Sequence, residues 1–177
     1  MTRNFNSNTE NEQEWLTPPE IVEALGPFDL DPCAPPEPRR PWPTATMHYS
    51  KEEHGDGLSR AWVGRVWLNP PYGRETFNWL AKLAEHKKGV ALIFARTETK
   101  GFFREVWRKA HAVLFFEGRL AFRKKGDGGK ADVANAPSCL VSYCEWDTSV
   151  ISSALAAGKI RGFLVCLANP VRKEVKQ

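Results

Sequence analysis

The sequence predicts an α/β domain with a mostly parallel sheet flanked by helices. Three observations carry that expectation. Strand and helix patterns alternate through the middle of the chain, as crossover units require. The apolar runs at residues 89–95 and 113–116 are continuous rather than alternating, the mark of strands covered on both faces. The length of 177 residues suits one domain with a substantial core.

Residues 1–13 are polar and read as a flexible arm, residues 14–170 as the single domain, and residues 171–177 as a polar tail. Thr17-Pro18 reads as a helix start, a hydroxyl cap followed by proline in the first turn. Ile21, Val22 and Leu25 supply that helix's apolar face, and Gly26-Pro27 closes it. Phe28 to Asp31 is a short strand ending in an acid. Seven of the 13 prolines fall between Pro27 and Pro43, so that stretch is a shaped loop. Residues 45–49 form a second strand, and Gly55-Asp56-Gly57 a turn.

Val63 to Leu68 is a strand, ended by the two prolines of Asn69-Pro70-Pro71-Tyr72-Gly73. Helix follows over 75–86, strand over 89–95, helix over 102–110 and strand over 113–116. Residues 122–132 carry Arg123, Lys124, Lys125, Lys130 and three glycines, the composition of an exposed basic loop. Residues 139–144 return to a strand, 150–157 to a short helix and 162–167 to a last strand.

The composition, 42% hydrophobic and 26% charged, excludes bulk disorder and fibrous folds. The net charge of +4 tolerates a polyanionic partner without demanding one. No apolar run reaches the roughly 18 residues of a membrane span, and the start lacks a signal peptide's apolar segment. A cytoplasmic protein is therefore expected. The four cysteines form no CxxC pair, so free thiols are expected and no metal site.

Asn69-Pro70-Pro71-Tyr72, at the end of a strand, resembles the catalytic motif of amino-group methyltransferases. The chemistry suits the residues. An adenine amine is a poor nucleophile because its lone pair is delocalised into the ring. The Asn69 side-chain oxygen and the Pro70 carbonyl are two acceptors that can orient it. Pro70 and Pro71 fix the backbone, and Tyr72 offers a face to an extruded base. The plain alternative is a proline turn after an edge strand.

Asp29-Leu30-Asp31-Pro32-Cys33-Ala34 resembles the cofactor-binding strand of these enzymes, although Pro35-Pro36 stands where glycines usually follow. Trp15-Leu16-Thr17-Pro18 resembles the segment lining their cofactor pocket. Asp56-Gly57-Leu58 resembles the acid that contacts the cofactor's adenine amine. In this order, with Ala95-Arg96-Thr97 and Gly118-Arg119-Leu120 further on, the chain resembles the small phage-type DNA N6-adenine methyltransferase family from about Trp15 to Tyr143.

The resemblance implies a Rossmann-like S-adenosylmethionine-dependent methyltransferase fold. It implies S-adenosylmethionine as cofactor, no metal, and double-stranded DNA with a flipped adenine as partner, in the cytoplasm of a bacterial host. It makes Asn69, Pro70, Pro71 and Tyr72 the catalytic residues. Cofactor contacts fall to Trp15, Thr17, Pro18, Asp29, Asp31, Cys33 and Asp56. Asp31 takes the ammonium, with Asp29 second, and Glu52 or Glu53 the ribose. DNA contacts fall to Arg96, Arg119, Arg123, Lys124, Lys125 and Lys130. Base readout is expected from the loop at 27–43 and from residues 119–136. Cytosine N4, RNA adenine or protein glutamine as the methylated amine, and a non-catalytic nucleic-acid-binding module, are the alternatives.

Overall fold

The computed structural model describes residues 16–73, 75–123 and 131–167. The arm and tail expected from the sequence lie outside the described residues. The chain runs α1 (Pro19–Leu25), β1 (Leu30–Asp31), β2 (Met47–His48), α2 (Lys51–His54), β3 (Val66–Leu68) and α3 (Thr76–His86). It continues through β4 (Gly89–Phe94) and α4 (Lys100–Phe102), which widens into a π-type turn over Phe103–Trp107. Then come β5 (Ala112–Phe116), β6 (Ala121–Arg123), β7 (Ala131–Val133), β8 (Ser138–Ser142), α5 (Glu145–Ala156) and β9 (Gly162–Cys166).

Seven strands form one sheet in the order β2-β1-β3-β4-β8-β5-β9. The pairings from β2 to β4 are parallel, and the three involving β8 and β9 are antiparallel. The mostly parallel sheet of the expectation is therefore a mixed one. The reason is local. After β5 the chain makes the antiparallel ribbon β6–β7, and β8 then starts opposite the end of β4, with Ser138 paired to Phe94. From there it can only run back. A strand buried on both faces is apolar whichever way it points, so the sequence pattern carries no direction.

The ribbon also corrects the expected loop at 122–132, whose two ends are paired strands. The last helix starts five residues earlier than its apolar pattern suggests. The Cys144 thiol caps it, accepting from the Asp147 N–H at 3.5 Å. The first helix departs in the other sense. Pro18 is its cap and makes no side-chain bond, and the Thr17 hydroxyl caps nothing.

Two apolar layers sandwich the sheet. On β4, Val90 and Leu92 face α1 and α5, meeting Ile21, Leu25 and Ile151. Ala91 and Ile93 face α3 and the π-type turn, meeting Leu80, Leu83 and Val106. That double covering explains the unbroken apolar run of β4. It also leaves only the strand ends to present polar chemistry.

Candidate active site

β1 and β3 are parallel neighbours, so Asp31 and Asn69 emerge at the same carboxyl edge of the sheet. Open α/β sheets take ligands at that edge. A cavity of about 610 Å³ lies there, lined by Thr17, Asp31, Cys33, Asp56, Asn69, Pro70, Pro71 and Tyr72 among others. The structure thus brings together the residues expected to be catalytic and most of those expected to hold a cofactor.

The Asn69–Tyr72 turn is braced from several sides. The Cys33 thiol donates to the Asn69 carbonyl at 3.2 Å. Burial, then the charge of Asp31, pushes that thiol well up, so it stays a donor. Tyr72 donates its phenol to Asn69 Oδ1 at 3.4 Å and stacks on Phe94, ring centroids 3.9 Å apart. Burial pushes the Tyr72 phenol up as well. The Thr76 hydroxyl donates to the Pro71 carbonyl at 2.7 Å and accepts from the Gly73 N–H at 3.0 Å. Phe94 and Thr76 were not expected at the site. Phe94 reads as one more core residue of an apolar run, and Thr76 as an ordinary helix-start residue.

Asp31 is buried, and each carboxylate oxygen has a donor. Oδ1 accepts from the Cys33 N–H at 3.1 Å, and Oδ2 from the Thr44 hydroxyl at 2.5 Å. Burial nevertheless raises its pKa to about 6, against the lowering effect of those bonds and of Arg40. A buried acid in that state gains from a cationic ligand. Close by, the Thr17 hydroxyl and the Trp67 indole N–H are buried without a hydrogen-bond partner among the described residues. The Trp79 indole N–H, also at the cavity, is in the same condition.

Gly57 lets the turn at Asp56 approach closely, since a Cβ there would overlap the Pro32 carbonyl. Asp56 Oδ1 accepts from the Leu58 N–H at 2.9 Å, leaving its carboxylate at the cavity wall. Of the two candidate ribose acids, Glu52 lines the cavity and pairs with Arg39. Glu53 instead accepts from Ser50 Oγ at 2.9 Å at the start of α2.

Asp29 does not belong to this site. It is exposed at the opposite end of β1, where Oδ2 accepts the Arg65 N–H at 2.6 Å. It precedes β1, whose residues are Leu30 and Asp31, so it sits at the amino end of the strand while Asp31 sits at the carboxyl end. Pro18 does not line the cavity either, and Trp15 lies outside the described residues. The proline-rich segment, expected from the sequence to read DNA, packs over the cavity. It straps the cavity: the Trp42 indole donates to the Thr17 carbonyl at 3.2 Å, Arg39 pairs with Glu52, and Thr44 holds Asp31.

Arg96 follows β4 and Arg119 follows β5, both exposed at the carboxyl edge and outside the cavity lining. Arg119 Nη1 donates to the Ala134 carbonyl at 2.9 Å, across the base of the ribbon. Of Arg123 only the backbone in β6 is described. Lys124, Lys125 and Lys130 lie outside the described residues. Among the described residues no cluster of metal-ligating side chains occurs, and no helix is long and apolar enough to cross a membrane. The four cysteines are free thiols, with Cys166 exposed.

A family profile for DNA N-6-adenine-methyltransferase (Dam) matches residues 5–159. A curated Escherichia phage T1 protein named DNA N-6-adenine-methyltransferase is 28% identical over 141 residues. The match covers 66% of this chain and 56% of that relative, so the chain spans little more than half the relative's length. No solved structure matches.

Proposed function

The chain belongs to the DNA N-6-adenine-methyltransferase (Dam) family, and on that premise we propose that it transfers a methyl group from S-adenosylmethionine to adenine N6 in DNA. The observation that carries this is the convergence of Asn69-Pro70-Pro71-Tyr72 and the buried Asp31 on one cavity.

The residues present fit the cofactor. Asp31 is a buried acid suited to an ammonium, and the Thr17 hydroxyl and Trp67 N–H are buried donors awaiting acceptors. Asp56 and Glu52 line the same cavity and would serve as acceptors for an exocyclic amine and a ribose. When bound, S-adenosylmethionine supplies a methyl group made electrophilic by its sulfonium. The protein's part is to hold and orient. Asn69 Oδ1 and the Pro70 carbonyl accept the two N–H bonds of the target amine, which displaces the Tyr72 phenol from Asn69. Those acceptors gain strength as the nitrogen acquires positive charge. Tyr72, backed by Phe94, offers its other face to the flipped base.

The amine nitrogen would take the methyl group directly, with no covalent enzyme adduct: the nitrogen–carbon bond would form as the methyl–sulfur bond breaks, its electron pair staying on sulfur as a neutral thioether, and the surplus proton on nitrogen would pass to water. Arg96 and Arg119, exposed at the carboxyl edge, supply phosphate contacts, and Arg123, Lys124, Lys125 and Lys130 are further candidates from the sequence. The test is transfer of a radiolabelled methyl group to DNA, with sequencing of N6-methyladenine in cells expressing the protein. Activity retained by Asn69→Ala would overturn the assignment.

A further inference from the structure

We propose that Thr44, held in place by His48, is a positioning residue that aims the Asp31 carboxylate at the cofactor's ammonium group. The inference rests on the role given to Asp31 above and adds the residues that make Asp31 fit for it.

The geometry is a relay from strand to turn to acid. β1 and β2 pair in parallel with Asp31 opposite His48, and the Tyr49 N–H donates to the Asp31 carbonyl at 2.8 Å. The turn before β2 is closed by a side chain. His48 Nε2 accepts the backbone N–H of Thr44 and of Ala45, each at 3.2 Å. Pro43 precedes the turn and contributes no N–H of its own. So anchored, Thr44 delivers its hydroxyl to Asp31 Oδ2 at 2.5 Å, while the Cys33 N–H takes Oδ1 at 3.1 Å. With a donor on each oxygen the carboxylate plane is fixed, and its remaining lone-pair capacity is available to a cation. A hydroxyl donated to a carboxylate is a strong, charge-assisted bond, and it favours the ionised form.

His48 can do this only as a neutral ring, because protonated imidazole has no acceptor. Burial, then the charge of Arg40, lowers its pKa to about 4, with Glu37 opposing. It therefore remains an acceptor wherever Asp31 is ionised. The other titratable or charged groups that bear on Asp31 are Arg40 of the proline-rich strap and the Cys33 thiol after β1.

The test is calorimetric binding to the full chain of two probes, S-adenosylmethionine and 5′-methylthioadenosine, which lacks the amino-acid part. Titrations run from about pH 5 to about pH 8, spanning the Asp31 carboxyl. In Thr44→Val, S-adenosylmethionine affinity at neutral pH is expected to fall about tenfold. The pH midpoint of its binding should move up by roughly one unit, and 5′-methylthioadenosine binding should stay unchanged. Thr44→Ser should restore both affinity and midpoint, and His48→Phe should follow Thr44→Val.

An unchanged midpoint in Thr44→Val, or equal loss of both probes, would overturn the relay. Asp31→Asn separates the two levels. Undiminished S-adenosylmethionine binding by that variant would overturn the ammonium role itself. Lost binding there beside normal binding in Thr44→Val would overturn only the positioning role.

Discussion

At the amino edge of the sheet, Arg65 and Asp147 form a buried ion pair at 2.7 Å that ties four elements together. Arg65 Nη1 donates to the carbonyls of Leu25 at 2.5 Å and Pro27 at 3.0 Å, where α1 ends. Its guanidinium lies 4.2 Å from the centroid of the Phe28 ring and 4.6 Å from that of Trp146. Asp147 Oδ2 accepts the Gly89 N–H at 2.7 Å, at a glycine where any Cβ would overlap the Val66 carbonyl. At the carboxyl edge the same sheet holds an acid pushed up to about pKa 6 and buried donors with no partner. Both edges bury polar groups. The amino edge pairs its charges internally and so locks the fold, although Arg65 Nη2 is buried without a hydrogen-bond partner among the described residues, whereas the carboxyl edge holds a buried acid and buried polar groups beside an open cavity. Unsatisfied burial is costly, and beside the cavity a ligand can offset that cost.

That contrast breaks first at the ion pair. Removing one partner of a buried pair strands the other, so Asp147→Ala should cost about 3–5 kcal/mol in denaturant unfolding. Methyl transfer per folded molecule should be unchanged. A variant with normal stability would remove the clasp from the comparison. Asn69→Ala should do the reverse: roughly 10²–10³-fold less methyl transfer in a single-turnover assay, with an unchanged unfolding midpoint.

Asp31→Asn probes the cost carried by the carboxyl edge. The folded-state pKa is raised from 3.8 to about 6. Relative to the unfolded chain, Asp31's contribution is therefore fully present below the unfolded value and lost as pH rises through about 6. Above that pH the buried charge destabilises the ligand-free protein by up to about 3 kcal/mol. The asparagine variant should melt higher than wild type at pH 8 and no higher at pH 4, while binding S-adenosylmethionine more weakly. Equal melting at both pH values would mean that Asp31 carries no such cost.

The two edges also differ in how far they are legible from the sequence. Asp31, Asn69-Pro70-Pro71-Tyr72 and Asp56 sit in short local patterns whose chemistry is recognisable without the fold. Arg65 and Asp147 are 82 residues apart, and nothing local to either indicates the other. Thr44 and His48 are close in sequence, but their role exists only through the turn they close around Asp31. Asp29 and Asp31 look equivalent in the chain, and only the bounds of the two-residue strand β1 put one before its amino end and the other at its carboxyl end. The strand-and-helix order was readable from periodicity, whereas the reversal at β8 was not, because buried strands carry no directional signal.

The smallest effect asks which edge meets DNA. Arg96 and Arg119 stand at the carboxyl edge, and Lys88 stands at the amino edge just before β4. If phosphates track the cavity mouth, neutralising a contact there releases one fewer counterion. Arg96→Gln should lower the slope of log affinity against log salt by about 1. Arg119→Gln should lower it similarly, with some loosening of the ribbon, because Arg119 also donates to the Ala134 carbonyl. Lys88→Gln has the same loss of charge and should leave the slope unchanged. Fluorescence anisotropy on one duplex across a salt series measures all three. An equal drop for Lys88→Gln would mean that DNA is held by diffuse charge over both edges, and the functional contrast between them would not extend to the substrate.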